Sequence, residues 1–226
     1  MSDFIGYIES LALRSLQPAE GERQAPARAD PAVNARLREA LAGEALVGED
    51  RAAAVINFWR DAGPTRWFAK EPEFDRIFRE RFLASHEAAA RGELLHWTVS
   101  PEKTLALLLL LDQFPRNAFR GTPRMYETDA LALGIARAAV DAGYDLKGPA
   151  DLQLFFYLPF GHSEEIADQE RSVELARRLG EPSLSHAIGH RDIVRRFGRF
   201  PHRNGILGRT MTEEEQRFLD AGGFAG

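Results

Sequence analysis

Along most of the chain apolar residues recur three and four apart, the spacing of one helix face. Phe4, Ile5, Ile8, Leu11, Ala12 and Leu16 predict an amphipathic helix over residues 3–16. Residues 17–30, rich in Pro, Ala, Gly and charge, predict a linker. Asp30-Pro31 then predicts a cap and first helical position for a helix to about Leu46. From Asp50 onward helix signals follow closely. A helix is predicted over 51–61, with Val55, Ile56, Phe58 and Trp59, ending at Gly63-Pro64. Pro72 opens a longer one with Phe74, Ile77, Phe78 and Phe82 inward, stopped near Gly92. Ser100-Pro101-Glu102 combines a hydroxyl cap, a proline with no N–H to waste and an acid at the positive helix end. The helix it starts is apolar on every side through 105–111 and closes on Asp112, so it belongs inside a bundle.

Thr122-Pro123 predicts a helix running to about Gly143, and another covers 150–158 and stops by Pro159. Ser163, followed by Glu164 and Glu165, predicts the cap of a helix to Gly180. One more helix covers 184–197, and Thr212 with Glu215 forms a capping box for a last short helix. No strand pair is visible. The expected fold is all-α: packed helical hairpins over 49–226, with 1–48 as a helical extension and linker.

Composition narrows the function classes. A net charge of −5 on 226 residues argues against a general nucleic-acid or membrane surface, because both partners are polyanionic. There is no cysteine, which removes disulfides, thiolate nucleophiles, iron–sulfur clusters and cysteine zinc sites and accords with a reducing cytoplasm, the expected location. The run 105–111 is far shorter than the ~20 apolar residues a spanning helix needs.

Three polar patches stand out. Asp112-Gln113-Phe114-Pro115-Arg116-Asn117 puts a carboxylate at the end of a buried helix, where it needs a counter-charge or a pocket. It either anchors an arginine or orients a histidine or ligand. Gly161-His162-Ser163-Glu164-Glu165 reads as a helix start; capping explains the serine and the acids but not His162, a candidate general acid or base. Residues 190–209 carry six arginines against one acid, Asp192, in an acidic protein. Within them Phe197-Gly198-Arg199-Phe200-Pro201-His202-Arg203-Asn204-Gly205 joins two helices, and arginine forks suit carboxylate or phosphate. Pairing of these arginines with internal acids is the alternative. His186 and His190 share a helix face but lack the glutamate of His-Glu-x-x-His, and Glu93-x-x-His96 occurs once where a di-iron bundle needs two, so no metal site is expected. No Walker loop, dinucleotide fingerprint or Gly-x-Ser-x-Gly occurs, and no cofactor is expected.

These motifs also carry a resemblance. From Val55 to Leu219 the chain resembles the bacterial "domain of unknown function 924" family. The likeness rests on Phe58-Trp59, Arg66-Trp67-Phe68, Phe74-Asp75, Leu111 to Asn117, Tyr157-Leu158-Pro159-Phe160, His162-Ser163-Glu164, Asp168-Gln169, His190, Phe197 to Asn204, and Leu207-Gly208-Arg209 with Thr212 and Glu215. It implies a TPR-like helical fold and supplies no activity. Arg60-Asp61 departs from the Phe-Gly usual after Phe-Trp, and His186 stands where an aromatic residue is usual, which weakens the His186/His190 pair.

Three functions follow as expectations. In the first, Arg116, Arg199, Arg203 and Arg209, with Gln113, Asn117 and Asn204, hold a small anion. His162, His190 or His202, oriented by Asp112 or Glu164, moves protons in a metal-independent hydrolase or isomerase. In the second, a TPR-like surface grips a peptide, with the peptide carboxylate as anchor. In the third, the polar residues form one structural network.

Overall fold

A computed structural model describes residues 48–226. The helices expected over 3–16 and 31–46, and the linker between them, lie outside the described residues. Among the described residues every regular element is helical, as the periodicity requires. Helix α1, Gly48–Ala62, buries Ala52, Val55, Ile56 and Trp59. Gly63, at φ +71, turns the chain into the short α2, Pro64–Trp67, whose Trp67 indole N–H donates to the Trp59 carbonyl at 2.6 Å. Helix α3, Pro72–Ala90, buries Phe74, Phe78, Phe82 and His86 at four-residue spacing. That row fixes its inner face, so Ile77, expected inward, sits on the flank and is 40% exposed.

Ser100 caps α4, Pro101–Leu108, by accepting the Lys103 N–H at 3.3 Å. Every residue from Thr104 to Phe114 is buried, as expected of a central helix. It does not stop at Asp112, however. It continues through a π-helical turn, Leu109–Gln113, into α5, Phe114–Ala118. The helix expected from Thr122 is also divided: a 3-10 turn, Pro123–Tyr126, precedes α6, Asp129–Asp141. The Thr128 hydroxyl donates to the Leu111 carbonyl at 2.5 Å and pins the chain to the π turn at that break.

Helix α7, Leu154–His162, includes Pro159 instead of ending before it. Phe155, Phe156, Phe160 and Gly161 are buried on different sides of it, and this packing outweighs the one backbone bond that proline forfeits. Helices α1, α3, α6 and α7 surround the central helix. Outside them lie α8, Ile166–Ala176, and α9, Ser183–Phe197, the latter closed by left-handed Gly198. A 3-10 turn, Pro201–Arg203, and α10, Glu213–Asp220, complete the described chain; α10 has the expected Thr212–Glu215 capping box. Two small apolar clusters, Val173/Ala176/Ala187 and Ile193/Val194/Phe200, hold this outer layer apart from the main core. The polar patches meet at the seam. No helix among the described residues is long and apolar enough to cross a membrane.

Candidate functional site

The π turn places Asp112. Pro115 has no N–H to return to the preceding helical carbonyls, so the ladder must be completed from elsewhere. Phe114 N–H reaches back five residues to Leu109 O, the π pattern. His86 Nδ1 bonds the Leu110 carbonyl at 2.9 Å, Thr128 Oγ1 the Leu111 carbonyl, and Arg116 donates to the Asp112 carbonyl at 2.8 Å. The turn also leaves Asp112 1% exposed.

The Asp112 carboxylate accepts Gln113 Nε2–H on Oδ2 at 2.6 Å and His162 Nδ1–H on Oδ1 at 2.7 Å, with Arg116 at 3.4 Å. Burial pushes its pKa up, but the Arg116 charge, His162 and the two hydrogen bonds outweigh that and hold it well below the carboxylate range. His162 is pushed down, first by burial and then by Arg116, and its bond to Asp112 restores only part. The pair is therefore a carboxylate beside a neutral imidazole whose proton lies on Nδ1, leaving Nε2 as an acceptor.

His162 is the last residue of α7, not the opening of the next helix as its sequence context suggests. Ser163 accepts Glu165 N–H at 3.1 Å and donates to Asp168 at 2.7 Å, while α8 begins at Ile166 with Glu165 as its cap residue. The carbonyls that a helix end leaves over need donors. Gln169 supplies Gly161 and Ser163, at 2.9 and 2.6 Å, and Arg203 supplies His162 at 2.9 Å. This brings the arginine-rich segment to the imidazole.

Most of the other arginines are already engaged. Arg116 forms a two-pronged bond with Asp129 at 2.8 and 2.9 Å. Arg199 does the same with Glu215 at 2.6 and 2.9 Å, and Arg209 binds Glu164 at 2.8 Å. Glu164 also accepts the Phe200 N–H at 2.9 Å, so its bonds go to the loop and to Arg209. Asn117 turns away to Asp75 at 2.7 Å and stands outside the cluster. Asn204 is fully buried and donates to Met211 Sδ at 3.4 Å. His190 and His202 flank Phe200, with ring centroids 5.4 and 5.6 Å from it. Burial pushes His190 down to about 4 and His202 down to about 3, with Arg203 and neighbouring histidines adding to the shift.

Arg203 differs from its neighbours. It is 7% exposed, between the rings of Tyr126 and Phe200 at 4.7 and 4.6 Å. Asp129, shared with Arg116, stands 3.8 Å from it, and Arg203 Nε has no partner among the described residues. Burial pushes its pKa below the ordinary arginine value. Its chain neighbours repeat the pattern: His202 Nδ1 and Asn204 Oδ1 are also buried atoms without a hydrogen-bond partner among the described residues.

Asp129 and Tyr126 were missed from the sequence. Asp129 sits where a first-turn acid reads as ordinary capping, and nothing local marks it as the hinge between two arginines. Among the described residues no group of three or more His, Asp or Glu side chains is placed to hold a metal ion.

No curated protein matches the chain. A solved structure of a protein of unknown function from Agrobacterium tumefaciens is 54% identical, with a TM-score of 0.74, and the likeness covers 75% of this chain and 97% of that one. The model of a family described as bacterial protein of unknown function (DUF924) matches residues 55–223, a span holding Asp112, His162, Arg203 and their partners. The chain belongs to that family.

Proposed function

We propose that the protein binds a small anion against Arg203 and moves a proton through His162. The observation that carries this is a buried, under-compensated guanidinium bonded to the backbone of a histidine whose other face is fixed by a buried carboxylate. A buried cation needs a full counter-charge, and Asp129 is divided between two arginines. A carboxylate or phosphate suits the remaining fork. His162 Nε2, neutral near pH 7, is then a general base, which serves hydrolysis and isomerisation alike. The proposal calls on no metal or nucleotide. The packing of helices against their sequence neighbours, α7 on α8 and α8 on α9, supports a TPR-like frame for the site.

Thermal-shift measurements with acetate, succinate and phosphate test the reading. At a hundred times its Kd, a bound anion stabilises by about 2.7 kcal/mol, a rise of roughly 5–10 °C for a domain of this size. Arg203→Gln abolishes the rise, whereas His162→Gln retains it. An equal rise in wild type and Arg203→Gln would remove Arg203 from the site.

A second reading has its own support. The pairing of Arg116, Arg199 and Arg209 with acids of this chain favours a purely structural network. That reading predicts no stabilisation by any of the three anions.

A further inference from the structure

The segment after α10 folds back onto the histidines of the site. Gly222, at φ +81, donates to Leu219 O at 3.0 Å, and Gly223 donates to Phe218 O at 2.9 Å, the bond pattern of a Schellman stop. A β-carbon at position 223 would stand 2.6 Å from both the Phe218 ring and its carbonyl oxygen, so this reversal needs glycine. The reversal lands Phe224 on three rings: His190 at 4.6 Å between centroids, His202 at 5.0 Å and Phe200 at 6.5 Å. Gly226 follows so closely that a β-carbon there would stand 3.0 Å from His202 Cδ2. Phe224 remains 40% exposed, whereas Phe200 beneath it is 1% exposed.

Two features distinguish this ring from core packing: it is reached through a tight reversal at Gly222 and Gly223, and it stays 40% exposed over the slot walled by His190, Phe200 and His202.

We propose that His190, Phe200 and His202 form a subsite for the aromatic ring of a small ligand, and that Phe224 is a displaceable occupant of it. Aromatic walls prefer a tilted or edge-on ring, the geometry Phe224 adopts against them. Phe200 also borders Arg203, 4.6 Å from its ring, so the slot and the cation share a wall. Resting on the anion reading above, this narrows the ligand to an aryl carboxylate.

The test is calorimetric titration of the full chain and Phe224→Ala with benzoate, acetate and benzyl alcohol. Benzoate is expected to bind Phe224→Ala at least tenfold more tightly than wild type, with acetate binding both equally. In wild type, benzoate should move the Phe224 ring resonances to solvent-like values and protect His190 and His202 from carbethoxylation. If acetate and benzoate bind alike and Phe224→Ala changes neither, the anion reading stands and the ring subsite is overturned. If benzyl alcohol moves the Phe224 ring resonances to solvent-like values in wild type while acetate binds neither protein, the subsite stands and the anion reading falls. Unmoved Phe224 resonances at saturating benzoate would overturn the displaceable occupant, since a cavity made by truncation binds rings in any core.

Discussion

A carboxylate at 1% exposure stays ionised only where its surroundings supply several compensating groups, and Asp112 has His162, Gln113 and Arg116. Truncating one member of such a set strands the others, so Asp112→Ala should lose about 3–5 kcal/mol in urea unfolding. The half-buried histidines His190 and His202 give a second expectation at this scale. Folded His190 and His202 titrate at about 4 and about 3, below the unfolded value near 6.5. On acidification the unfolded chain therefore takes the proton first. Their contribution is complete above about pH 6.5 and is lost as pH falls towards the folded values. Burial sets most of the depth; His162, Arg203 and His186 lower His190 further while a backbone bond at Gly161 raises it, and Arg203, His190, His162 and Arg116 lower His202 further. For His190 alone the loss by pH 4 is on the order of 3 kcal/mol. His190→Gln should flatten the decline between pH 6.5 and 4.5 in a series of urea melts; an unchanged slope would contradict the assignment.

At the scale of elements, local rules succeeded where a single short-range bond decides. Ser100 and Thr212 are caps in the structure because each hydroxyl bonds a backbone N–H three residues on. Thr212→Ala should accordingly lose about 1 kcal/mol in thermal unfolding while Arg199 keeps its bond to Glu215. Local rules failed where distant groups intervene. Pro115 does not end the central helix, because His86 and Thr128, 24 and 17 residues away from their acceptors, bond the freed carbonyls. No spacing in the sequence shows such donors. Ser163 misled for a related reason: Asp168 captures its hydroxyl, and the helix start moves to Ile166.

For the whole molecule, the motifs showed which residues would gather but not how their charges would divide. Asp112, His162, Arg203 and Arg116 do meet at the seam between the main core and the outer helices. Of the four arginines expected to hold an anion, Arg116, Arg199 and Arg209 pair with Asp129, Glu215 and Glu164, acids 13, 16 and 45 residues away that no local spacing marks. The Agrobacterium protein, 97% covered by the likeness, carries the shared fold within its own length. A chain of residues 48–226 should therefore unfold in one cooperative transition; a broad, non-cooperative melt would make 1–47 part of the core. The central claim concerns one proton. Nitrogen-15 NMR of the His162 imidazole at pH 7 should show a neutral ring protonated on Nδ1, with an Nε2 resonance that shifts on addition of acetate in wild type but not in Arg203→Gln. A ring protonated on Nε2 or on both nitrogens, or an Nε2 resonance unmoved by anion, would contradict the account.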